Sequence, residues 1–232
     1  MAITQDDIMK LLDAAYTAAI KGIPKVSPPI EKMADDYMKR HDDISKAAKE
    51  MHRYQVAKCT TSGFISGFGG LITLPVTVPA NIGSVVYVQM RMIACTAYMA
   101  GYDIHDDQVQ TLIYACLAGV AVGNVFKKFG VALGNKMAMQ AIKKIPGKVV
   151  TAINQKIGFR LLTKFGEKGL INLGKMVPVA GAFVNGGYDC GETTIIALRA
   201  YRQFIKGDFS DKKVKNKDDI IDLDPDDIEE VV

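Results

Sequence analysis

A chain of 232 residues, 49% hydrophobic and 23% charged, has the length for one sizeable core and the proportions of an ordinary globular protein. Its net charge of +4 joins two unlike parts: residues 208–232 hold ten acids against four lysines, while residues 1–207 hold 25 basic and 15 acidic side chains. Four widely spaced cysteines, with no Cys-x-x-Cys and no Cys–His ligand spacing, argue against a disulfide framework or a zinc finger and fit a reducing, cytosol-facing compartment.

The start, MAITQDDIMK, has no apolar core of a cleavable signal, position 2 is not glycine, and the chain does not end in a prenylation box. Residues 5–21 are predicted as an amphipathic helix. Ile8, Leu11, Leu12, Ala15 and Ala19 recur at helical spacing, Thr4 caps the start, and Gly22 with Pro24 ends it. Ser27 is then placed to cap, and Pro28 to open, a second and solvent-facing helix over about 29–40. His41-Asp42-Asp43 breaks that helix and opens a third over 43–62.

The stretch 59–101 organises the rest. Its only charge is Arg91, and Pro75 and Pro79 interrupt it. Gly63-x-x-x-Gly67 lets two helix backbones approach closely, and Gly69-Gly70 loosens the helix end. Residues 71–79 cannot form one continuous helix, because each proline biases its predecessor toward extended geometry. Pro79 can start a helix ending at Gly101, and twenty-odd residues would cover ~30 Å, the thickness of a bilayer core. Arg91 falls in its middle, where an arginine at bilayer centre costs at least ~2.5 kcal/mol. Insertion into one leaflet or burial in a protein core is therefore expected, and a true span is not. Leu71, Ile72, Leu74, Val76 and Val78 of the elbow are the membrane-contact candidates.

Asp103 and the His105-Asp106-Asp107 corner lead to an uncharged stretch over 108–126, read as one buried helix containing Gly119-x-x-x-Gly123. The segment 127–175 follows, with eleven Lys or Arg and a single acid, Glu167. Val150, Ile153, Ile157 and Leu161 line one face of a helix there, and Lys156, Arg160 and Lys164 another. Met137, Ile142 and Ile145 against Lys136, Lys143 and Lys144 repeat the pattern in a shorter helix ended by Pro146-Gly147. Lys143, Lys144, Lys148, Lys156, Arg160 and Lys164 are the basic-surface candidates, and anionic membrane lipid is the partner they imply. A last helix, about 186–206, carries Asp189, Glu192 and Arg199; the acidic residues beyond are predicted to be disordered.

The fold expectation is all-α, with about seven helices and a central Gly/Pro-interrupted apolar hairpin. Residues 1–42 pack on a helical domain over 43–207, and 208–232 form the acidic tail. Arg91, Asp103 and Asp189 interrupt or flank apolar helices and are the buried polar candidates; a structural ion pair fixing helix register, or a pocket for a lipid headgroup or small anion, would satisfy them.

No catalytic, cofactor-binding or metal-ligating set emerges. Gly169-x-x-x-x-Gly174-Lys175 mimics a phosphate loop, but Met176 replaces the hydroxyl that would hold magnesium and no strand precedes it. His41-Asp42-Asp43 and His105-Asp106-Asp107 read as helix caps in preference to metal ligands. Ser62, Ser66 and Ser84 have no evident histidine partner, and Cys59 and Cys190 stand in no nucleophile motif.

The chain resembles the EcsC family. The residues that carry this are Gly63-Phe64-Ile65-Ser66-Gly67-Phe68-Gly69-Gly70-Leu71 with Leu74-Pro75 and Pro79-Ala80, then Gln89-x-Arg91-x-Ile93 and Ala97-Tyr98-x-x-Gly101-Tyr102-Asp103. Downstream, Asn154 to Leu161, Lys164-x-Gly166, Pro178-Val179-x-Gly181 and Asp189 match as well. The resemblance implies a helical, membrane-associated bacterial protein whose family is linked to an ABC transporter and has no settled catalytic residues. The expectation is an accessory protein on the cytoplasmic face of a membrane, peripheral or monotopic, with cytoplasmic residence as the runner-up. A membrane-surface hydrolase and a nucleic-acid-binding protein are the alternatives, the latter disfavoured because no aromatic residues interleave with the basic ones in an RNA-binding motif.

Overall fold

A computed structural model describes residues 4–60, 80–131, 139–165 and 182–210. Among these the architecture is all-α, with nine α-helices and no strand. Helix α1 (Gln5–Lys21) opens with a reciprocal cap: the Asp7 N–H donates to Thr4 Oγ1 at 3.2 Å and the Thr4 N–H to Asp7 Oδ2 at 3.0 Å. It ends at Gly22, whose φ of +73° suits a residue without a Cβ; a methyl there would stand 2.4 Å from the Ser27 carbonyl oxygen.

Ser27 does not cap the second helix. Its hydroxyl accepts from the Ile23 N–H at 3.1 Å and pairs with the Tyr87 hydroxyl at 2.6 Å, so it closes the corner after Gly22. Helix α2 (Ile30–Met38) starts after Pro29 without a side-chain cap. It is amphipathic, not simply solvated, because Ile30, Met33, Ala34 and Tyr37 are buried. Helix α3 (Ile44–Thr60) begins where Asp43 accepts from the Ser45 N–H at 2.8 Å.

The core is built on α4 (Ala80–Met99), against which α1, α2 and α3 all pack. Every side chain from 87 to 97 is buried, Arg91 included. Over that span the helix spends its apolar surface on protein. No helix among the described residues is long and apolar enough to cross a membrane.

Gly101, at φ +84°, turns the chain into α5 (Asp107–Ala118), where Asp106 caps by accepting from the Gln108 N–H at 3.3 Å. The single helix expected over 108–126 is two, because Gly119 takes φ +68° and closes a left-handed cap, with the Val120 N–H donating to the Ala115 carbonyl at 2.9 Å. The short α6 (Gly123–Lys128) and α7 (Met139–Lys143) lead to α8 (Gly147–Phe165), which packs on α1 and α5. Helix α9 (Ala182–Ala200) packs on α3, α4 and α5 and runs into a π-helical turn, Tyr201–Ile205. Phe204 of that turn meets Tyr102 and Phe209 edge-on, with ring centroids 5.4 and 5.8 Å apart. The elbow 61–79 and the tail 211–232 lie outside the described residues.

Candidate functional site

Helix α8 divides as its periodicity predicts. Ile153, Ile157 and Leu161 are buried and Val150 is half-buried, while Lys148, Lys156 and Arg160 are exposed. Lys143 and Lys144, just ahead of the helix, are exposed too; Lys164 falls where side chains are outside the described set. The sequence of α8 contains no acid. On its outer face Phe159 is 61% exposed, and on the helical wheel it stands between Lys148, Lys156 and Arg160. It is the most exposed of the large hydrophobic side chains among the described residues.

Arg91 shows the opposite treatment of a cation. Its guanidinium donates to the Ala19 carbonyl through Nη1 and to the Pro28 carbonyl through Nη2, each at 2.7 Å, with Met33 Sδ at 3.2 Å. The Tyr87 ring lies 5.6 Å from its central carbon. Carbonyl dipoles hold the charge, where the sequence expectations were a structural ion pair or a pocket for a lipid headgroup or small anion. Ala19 lies at the C-terminal end of α1, where free carbonyls and the helix dipole both favour a cation.

Asp103 is not buried. It sits on the corner between α4 and α5, where it accepts from the His105 N–H at 3.0 Å and faces Lys143 Nζ at 3.5 Å. The His105 hydrogen bond foremost, and then Lys143, hold its carboxyl below the usual range. A turn-forming aspartate has to stay at the surface, which is why its place beside an apolar helix misled. Asp189 lies on α9 where side chains are outside the described set.

Neither His-Asp-Asp corner gathers ligands. His41 pairs with Glu50, which also accepts from Arg40, and His105 faces Glu31 at 3.4 Å. Among the described residues no group of His, Cys, Asp or Glu could hold a metal ion. His52 is buried with its Nε2 2.7 Å from Thr96 Oγ1, and burial pushes its pKa down to about 4. Burial also pushes the Cys95 and Cys116 thiols up to about 12, which keeps them protonated and poor nucleophiles.

A site that sequence reasoning missed lies at the C-terminal end of α5. Arg199 of α9 donates through Nη1 to the Cys116 carbonyl at 2.5 Å. At the same end, Nη1 and Nη2 of Arg199 stand 3.3 Å, and Nη2 of Arg160 stands 3.4 Å, from where a Cβ on Gly119 would be. Arg160 and Arg199 are far apart in sequence and share no periodicity, so only the packing of α8 and α9 on α5 could bring them together. No family model matches the chain, and neither a curated protein nor a solved structure matches it significantly.

Proposed function

We infer that this protein is a membrane-associated accessory protein that rests on anionic phospholipid through its basic helices. The observation that carries the reading is the outer face of α8, where Phe159 is 61% exposed between Lys148, Lys156 and Arg160 on an acid-free helix. An aromatic ring flanked by lysine and arginine suits the headgroup region, the ring entering the acyl boundary and the cations meeting phosphate. The absence of a crossing helix among the described residues suits a peripheral or monotopic mode. In this proposal the elbow residues Leu71, Ile72, Leu74, Val76 and Val78 insert into the same membrane. The resemblance to the EcsC family supports the same reading and extends it to a link with a membrane transporter.

Co-sedimentation of the full chain with vesicles tests it. Binding to vesicles rich in phosphatidylglycerol and not to neutral ones, weakening as salt rises, is the expected result. Phe159→Ser and Lys156→Gln should each lower the bound fraction without changing the helical content. No association with any vesicle composition sinks the reading. Tight binding to DNA in a parallel filter assay, with none to vesicles, would replace it with the nucleic-acid alternative.

A further inference from the structure

Arg160 and Arg199 reach the end of α5 from two different helices and meet in the space that a side chain at Gly119 would occupy, all three of their nearest nitrogens lying within 3.4 Å of its Cβ position. Two guanidinium groups so close repel each other, and arginine cannot escape by losing its proton. One donor of Arg199 is taken by the Cys116 carbonyl, and the negative end of α5 offsets part of the repulsion. Among the described residues no carboxylate pairs with either guanidinium. A helix-capping role accounts for Arg199 alone. The dipole of α5 favours Arg160 as well, but of the two guanidiniums only Arg199 has a carbonyl partner among the described residues.

The chemistry that would satisfy both is a tetrahedral oxyanion. Each guanidinium presents a planar fork of donors, and two guanidiniums this close to one another can both reach the oxygens of one phosphate group. Arg199 is half-buried and anchored by its carbonyl, so one fork is held in advance, while Arg160 is exposed and open to a ligand from solvent. Lys156, one turn earlier on the exposed side of α8, adds a third positive charge nearby. We propose that Arg160 and Arg199, set over Gly119, form a binding site for a phosphate group, whether free phosphate or the phosphate of a lipid headgroup. The site goes beyond the membrane reading and stands without it.

The test titrates the full chain with inorganic phosphate, and separately with chloride at equal ionic strength, following the arginine Nε–H resonances by NMR. Saturable shifts of the Arg160 and Arg199 signals with phosphate alone are expected. Arg160→Gln, an exposed position, should weaken binding by about tenfold, the scale of losing a hydrogen-bonded charge. Arg199→Lys keeps the charge but loses the fork, so it should also weaken phosphate binding with the helical signal unchanged. Shifts that chloride reproduces, or phosphate affinity equal in Arg160→Gln and the parent, would overturn the proposal. Vesicles containing phosphatidate then assign the source. Release by added phosphate marks a headgroup site, and vesicle binding indifferent to phosphate while the arginine signals still shift marks a free-phosphate site. Phosphate shifts without any vesicle binding sink the membrane reading and leave this site standing.

Discussion

Two helix ends in this protein use the same parts to opposite effect. At the end of α1 and at the end of α5, an arginine donates to the carbonyl of the third residue from the terminus, Ala19 or Cys116, and a glycine of positive φ follows the helix, Gly22 or Gly119. At the first end, Arg91 is 4% exposed, and the carbonyls of Ala19 and Pro28 with the Met33 sulfur close around it. The space beyond Gly22 is filled by backbone. At the second, the three atoms nearest the space beyond Gly119 are guanidinium nitrogens, and the second cation there, Arg160, is exposed. A buried cation that the chain satisfies itself is a structural rivet. Two cations left side by side at an edge are a place for something else.

The largest effect that would break this contrast is at the inner end. Arg91→Met leaves the buried Ala19 carbonyl and the part-buried Pro28 carbonyl without their donor and should cost roughly 4 kcal/mol, read as a shift in the urea midpoint. A midpoint near that of the parent would show that the cage is not structural. Gly22→Ala should follow at about 3 kcal/mol, since its methyl meets backbone atoms of Ser27 and Pro28 at 2.4 to 2.6 Å and the corner has to open.

A buried neutral group next to the same core gives a pH test. His52 has a folded pKa of about 4 against 6.5 in the unfolded chain, so above about pH 6.5 both states hold it neutral and stability is at its full value. As pH falls from about 6.5 to about 4, the unfolded chain binds the proton first and about 3 kcal/mol of stability should be lost. His52→Gln should remove that share of the slope in denaturation curves taken across the window. An unchanged slope would mean that water reaches the ring.

The smallest effect sharpens the comparison. Gly119→Ala has nearly the same φ as Gly22→Ala, but the three atoms nearest its methyl are side-chain nitrogens at 3.3 to 3.4 Å and not backbone at 2.4 to 2.6 Å, so backbone strain of about 1 kcal/mol is the main cost expected. Equal losses at the two glycines would erase the distinction between a closed end and an open one.

Much of the helical plan was legible. The Thr4 cap, the end of α1 at Gly22 and the split of α8 into Ile153, Ile157 and Leu161 against Lys156 and Arg160 follow from local signals that act within a turn or two. The failures share a cause. Ser27 looked like a cap but bonds Ile23 and Tyr87, and Gly119 looked like part of a packing motif but ends its helix. Asp103 looked buried but turns a surface corner. Each of these residues has more than one local use, and its surroundings in the fold choose between them.

By itself the sequence determined that the described chain is helical, which faces of α1 and α8 are apolar, and that a single charge interrupts the most apolar helix, because period and capping are properties of adjacent residues. Only the tertiary structure decided that Arg91 donates to the carbonyl of Ala19, at a helix end 72 residues away, and to that of Pro28 in the corner beyond it, and that Arg160 and Arg199 meet over a glycine. The position of a charge along a chain does not say which dipoles will surround it. That depends on which helix ends the packing of the core brings to its side.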